Sequence, residues 1–327
     1  MKENRNISIQ ILRVCACLMV FLVHFGQRVS LNGTIRSFTD FGRFGVHLFF
    51  LISGFLAGKT FFGNSNINIK QYYIKRMIAI LPLYYLVIIY YFITENILNV
   101  FYPVIPSDEL SLGWLRYVFL LNGFFNSNTY FWSNLGITWT LPIFIFFYFI
   151  APFTLRRVNS VRSSFFVWFI VYLITSILGK LYPCTIFSNL HLLFLGVVLY
   201  SCTRMGYHSI ATVSFSCCAI CMSILNHQTY AYVSIFSIII LTLTSIEHIH
   251  LPGWLQKTIN VLDTYSYTLY LTHGVVFCSL LDRLTKLGTS TTLIALLAVL
   301  GTTLGTWIVG RYIEKPIQQG LRKRTVR

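Results

Sequence analysis

Arg13 and His24 stand in one otherwise apolar stretch, Ile9 to Phe25, with ten residues between them. If that stretch is helical, eleven steps bring the side chain back to within about 20° of its starting direction, roughly 16 Å further along the axis. Both groups then share one face, three turns apart. Ionisable residues inside an apolar span are costly and point to function by default. A histidine titrates near neutrality and suits general-base work. An arginine is permanently charged and fork-shaped, which suits a phosphate or a developing oxyanion. The same spacing also fits an arginine that snorkels to the headgroups and a histidine satisfied within the helix bundle.

The elements that must hold this pair are membrane helices. The chain has 327 residues, of which 56% are hydrophobic and 10% charged; soluble proteins carry about 25% charged residues. Stretches of the length a bilayer requires predict ten helices, near 8–26, 44–62, 75–94, 137–154, 164–182, 189–203, 209–226, 229–246, 265–284 and 291–311. The segment Trp114–Phe125 is too short and reads as an interfacial or re-entrant piece. The first span has Lys2 and Arg5 before it but lacks a small-residue cleavage signature, so it reads as a retained helix. The expected fold is an all-α integral membrane bundle, one domain over 1–327.

The net charge of +16 does not mark a nucleic-acid binder, because the basic residues are scattered between spans and cluster only at Arg322-Lys-Arg324. They fit positive loops that set orientation. With the N-terminus inside, 17 of the 25 basic residues fall on the cytoplasmic side and 7 outside, which predicts both termini cytoplasmic. The eight cysteines mostly lie in apolar spans and behave as small hydrophobes. Cys218-x-x-Cys221 lacks a second half, so no metal is expected. All nine acids read as loop or helix-end residues, which argues against a proton-coupled transporter with a buried carboxylate relay. It also leaves His24 to a hydroxyl, a carbonyl or a loop acid such as Asp40 or Asp282. His47 and His191 have no assigned role.

Five further segments follow in order. They are Gly42-Arg-Phe-Gly45 through Ser53-Gly54-Phe55; Tyr73-Ile-Lys75-Arg76 leading to Pro82; Trp139 through Phe147-Tyr148; Ser266-Tyr267 through Tyr270 and His273; and Glu314-Lys-Pro316. Together with Arg13 and His24 they resemble the membrane acyltransferase-3 family, which includes bacterial O-acetyltransferases of O-antigen and other surface polysaccharides. The likeness spans nearly the whole chain and, ending soon after Pro316, resembles the stand-alone form. It implies a multi-pass protein of the bacterial cytoplasmic (inner) membrane, in contact with membrane lipid. It implies acetyl transfer from acetyl-CoA to a hydroxyl of a lipid-linked or surface glycan such as lipopolysaccharide.

By that resemblance, His24 matches the family's essential histidine and Arg13 its partner arginine. His24 is the expected base, and Arg13 either meets the oxyanion or binds donor phosphate. Arg76 and Lys75 are the expected contacts for the coenzyme's phosphates. Tyr148, Tyr270 and His273 are candidates for the acceptor side. Ser53 and Gly54 read as a close helix approach. Two positions depart from the pattern: Ala79 stands where relatives carry a second arginine, and Phe144 where they carry a glutamate. If these charges pair in relatives, Phe144→Glu alone damages folding and Ala79→Arg relieves it. Direct transfer and an acyl-enzyme intermediate both stay open. The rival readings are a lipid or polysaccharide transporter and a catalytically inactive partner in a membrane assembly.

Overall fold

The computed structural model describes residues 6–29, 31–64, 66–93, 115–124, 135–246, 249–278, 280, 284 and 290–325. Among them the chain is all-α. The helices are α1 (Ile7–Arg28), α2 (Gly33–Phe41), α3 (Gly45–Phe61), α4 (Ile69–Phe92), α5 (Thr140–Leu155), α6 (Val161–Leu181) and α7 (Thr185–Arg204). They continue with α8 (His208–Ile224), α9 (Gln228–Ser245), α10 (Gly253–Thr272), α11 (Thr291–Ile308) and α12 (Lys315–Thr325). A wider π turn, His273–Cys278, extends α10, and another, Val309–Glu314, joins α11 to α12. Polar side chains start several helices. Asn6 and Asn68 accept from Ser8 N and Gln71 N, and Ser160 exchanges bonds with Ser163 at the head of α6.

Eight helical stretches among the described residues are long and apolar enough to cross a membrane, and each covers one of the ten expected spans. The other two expected spans are helical as well. One is α8, at 17 residues. The other is α10, whose first half is too polar to count and which begins at Gly253, twelve residues earlier than expected. Residues 115–124 form a short turn tied onto the bundle: Tyr84 OH donates to Tyr117 O (2.6 Å), and Thr185 Oγ1 donates to Gly123 O (2.9 Å). Trp114 and Phe125 lie outside the described residues.

The burial pattern inverts that of a soluble helix. In α6 the buried residues are Ser164 and Thr175, whereas Phe166, Ile174 and Ile177 are more than half exposed. Ser164 Oγ meets Ser201 Oγ of α7 at 2.5 Å, a polar contact turned inward because lipid offers it no partner. Lipid supplies no hydrophobic drive for helix association, so close packing must do it. Gly54 of α3 and Gly196 of α7 meet backbone to backbone, and a Cβ at either would strike the opposite chain. Gly42 and Gly45 lie as closely on α1 at Met19 and Ala16. The expected close approach at Gly54 is therefore present. It brings Phe50, Leu51 and Ile52 into a core with Leu193 and Phe194.

Candidate active site

α1 and α10 pack side by side and run in the same direction. At one level Arg13 Nη1 pairs with Asp263 Oδ1 at 2.8 Å, and Nη2 donates to Ser266 Oγ at 3.1 Å. One turn on, Cys17 Sγ faces Ser266 O at 3.5 Å. Further along, the His24 and His273 rings stand 5.1 Å apart between centroids. The eleven-step spacing on α1 is thus answered by a matching series on α10 and its π turn.

Asp263 corrects the sequence reading. It was expected in a loop or at a helix end; it lies instead inside α10, its side chain wholly buried beside an Arg13 that is 32% exposed. The early start of α10 explains this, since Gln256, Lys257 and Asn260 lower the hydropathy of its first half without interrupting the helix. The loop acids envisaged for His24 were Asp40 and Asp282. Asp40 pairs with Arg36 at 3.2 Å, and Asp282 lies outside the described residues. His24 Nδ1 faces Gln27 Oε1 at 3.1 Å, one turn along α1.

A cavity of about 180 Å³ opens beside the Arg13–Asp263 pair. It brings Arg13, Arg76, Tyr148 and Tyr270 together, and Ser53, Ala79 and Phe144 line it too. The Arg76 guanidinium lies over the Tyr148 ring at 4.7 Å and the Tyr72 ring at 5.6 Å, two cation–π contacts that fix its direction. Lys75, one residue earlier, is exposed and does not line the cavity. Tyr148 holds the arginine as well as forming a wall. Phe144 lies parallel to Tyr148 at 6.4 Å and fills space against Phe50 at 5.1 Å.

Tyr270 stands between this cavity and the histidines. Its hydroxyl donates to Ile137 O at 2.6 Å and meets Thr140 Oγ1 at 2.7 Å, while its ring lies 5.7 Å from that of His273. Neither His24 nor His273 lines the cavity; both lie one layer beyond Tyr270. Below the cavity the Glu314-Lys-Pro316 segment fastens the last helix. Glu314 accepts from Thr268 and from Gln318, Gln318 also reaches Ala79 O at 3.4 Å, and Lys315 donates to Tyr265 OH at 2.8 Å. Sequence reasoning missed Asp263, Gln27 and this anchoring. An acid followed three residues later by a serine, Asp263-x-x-Ser266, was the available signal for the first.

The arrangement is a membrane-embedded pocket with two guanidinium groups and a histidine pair beyond it. The chain belongs to the acyltransferase-3 family, whose model, described as an acyltransferase domain, matches residues 6–311. It is therefore a membrane acyltransferase. Neither the curated proteins nor the solved structures contain a match.

Proposed function

We infer that the chain is an O-acetyltransferase that moves acetyl from acetyl-CoA to a hydroxyl of a lipid-linked or surface polysaccharide such as O-antigen. The observation that carries this reading is the layering along α1 and α10: a cavity with two guanidinium groups at the Arg13 level, and His24 with His273 one layer further on. With the N-terminus on the cytoplasmic side, Arg13 and Arg76 face the donor and the histidines face the acceptor. Arg76 is the better phosphate contact, because it is held by two rings inside the cavity while Lys75 points elsewhere.

With the Gln27 amide oxygen accepting, Nδ1 of His24 carries its hydrogen and Nε2 keeps the lone pair. Nε2 takes the proton of the acceptor hydroxyl as its oxygen attacks the thioester carbonyl. A new C–O bond forms, the C–S bond breaks, and the proton passes to the departing thiolate, giving an ester and a free thiol. The oxyanion formed midway needs donors. Arg13, roughly 16 Å along α1 from His24 with Asp263 and Ser266 fixing its fork, is too far to supply them and serves the donor end of the cavity. For donor and base to meet, the acyl group must pass the Tyr270 layer, so the hydroxyl of that tyrosine lines the route.

The buried Asp263 removes one argument against a transporter, but family membership answers that rival directly. The test is His24→Ala in cells and in reconstituted membranes. Acceptor acetylation, read by mass spectrometry of the glycan, is expected to vanish while protein level stays normal. Retained acetylation overturns the reading.

A further inference from the structure

Helix α4 carries Pro82 in its interior. A proline has no N–H to give, so Ile78 O loses its intrahelical partner, and the ring crowds that carbonyl and opens the turn before it. In a membrane helix the groups so loosened are answered from neighbouring helices. Here two donors arrive. Tyr267 OH of α10 donates to Ile80 O at 2.8 Å, and Gln318 Nε2 of α12 donates to Ala79 O at 3.4 Å. The same amide nitrogen also donates to Glu314 Oε1 at 2.9 Å, and Glu314 accepts from Thr268 of α10 as well. The Gln318 amide thus spans a carboxylate tied to α10 and a carbonyl of α4.

The same device recurs on α5. That helix carries Pro152, and Tyr73 OH of α4 donates to Phe149 O, three residues before the proline, at 2.7 Å. Ala79 stands three residues before Pro82 in the same way. The two braced turns belong to the two helices that carry Arg76 and the Tyr148 ring beneath it. Helical register makes Arg76 O the acceptor for Ile80 N–H. That N–H and Ala79 O belong to one planar peptide unit, so the peptide that Gln318 holds by its carbonyl holds the Arg76 backbone by its other end. Gln318 does not itself line the cavity, and it lies past residue 311, where the family match ends.

We propose that Gln318 is a positioning residue for the donor end of the site: it clamps the Ala79–Ile80 peptide, and through it the backbone from which Arg76 reaches the cavity. This rests on the reading of Arg76 as a contact for the donor's phosphates. The test uses the full chain in proteoliposomes, with steady-state kinetics against acetyl-CoA and hydrogen exchange of the α4 peptide spanning Arg76 to Pro82. Gln318→Met keeps the length and loses the donor. It is expected to raise the KM for acetyl-CoA by about 3- to 10-fold with kcat little changed, and to speed exchange in that peptide. Gln318→Lys, which still donates to both oxygens, is expected to restore both readouts. In an Arg76→Met background, Gln318→Met is expected to add nothing to the KM, because it acts through the arginine. An unchanged KM in Gln318→Met while Arg76→Met raises it overturns the proposal, and so does an equal further rise in the Arg76→Met background. An Arg76→Met protein with an unaltered KM overturns instead the donor reading of that arginine. The clamp is then read from exchange alone: faster exchange in Gln318→Met supports it, and unaltered exchange refutes it.

Discussion

Asp263 and Arg13 are unequal partners, and the inequality can be measured. The aspartate side chain is fully buried and the arginine is 32% exposed. Arg13→Met leaves a carboxylate stranded at depth, and breaking a buried pair in this way costs about 3–5 kcal/mol. Most of that cost belongs to the stranded acid rather than to the pair, because the arginine is partly exposed and its share is screened. Asp263→Asn leaves Arg13 free to swing its long stem toward the headgroups while keeping Ser266 Oγ as acceptor, so the loss is about 1–2 kcal/mol. Replacing both, as Arg13→Met with Asp263→Leu, removes the charge altogether and is close to neutral. The assay is thermal unfolding of the purified protein in one detergent, with acetylation measured on the same samples. Arg13→Met is expected to lower the midpoint on the order of 5–10 °C and Asp263→Asn by a few degrees. The double variant is expected to recover. Equal damage from both single changes, or no recovery in the double, refutes the reasoning. The double variant also separates the roles of Arg13. Restored stability without acetylation means that it acts in the reaction, and restored acetylation means that it serves only the fold.

The two departures from the family pattern line the same cavity, which already contains two arginines. This changes the expectation drawn from sequence. A glutamate from Phe144→Glu finds Arg76 close by, across Tyr148, so the more damaging single change is Ala79→Arg, which adds a third cation. Protein yield is expected to fall with Ala79→Arg and to recover when Phe144→Glu is added; equal yields for the single and double variants exclude this coupling. Tyr148→Leu removes the closer of the two rings over Arg76. A cation–π contact in a desolvated site is worth about 1–2 kcal/mol. The KM for the acyl donor is therefore expected to rise by roughly 5- to 30-fold with kcat much less affected, and steady-state kinetics in proteoliposomes checks it.

The helical face shared by Arg13 and His24 was legible because it needs only periodicity, and both residues do meet successive levels of one neighbour. Gly54 was legible for a similar reason, since a small residue in an apolar span has few uses other than close approach. Asp263 was not. Hydropathy averages over a window, and a helix that begins polar, as α10 does from Gly253, looks like a loop until its apolar half starts. The partners of Arg76 were hidden differently: Tyr148 is 72 residues further on in sequence, and only the packing of α4 on α5 brings them together. Gln27 sat in plain view, one turn from His24, but a glutamine near the end of a span has many ordinary uses.

The parallel pairing of α1 with α10 has a consequence for biosynthesis. Ser266, which holds the arginine fork, comes 253 residues after Arg13. At about 5–20 residues per second, the ribosome delivers the counter-charge roughly 10–50 s after the first helix has been threaded. For that interval the first helix waits in the membrane with an unanswered cation, best accommodated near the headgroups. Its final seat opens only when the ninth expected span arrives. A nascent chain stopped before residue 263 therefore lacks the carboxylate that fixes Arg13.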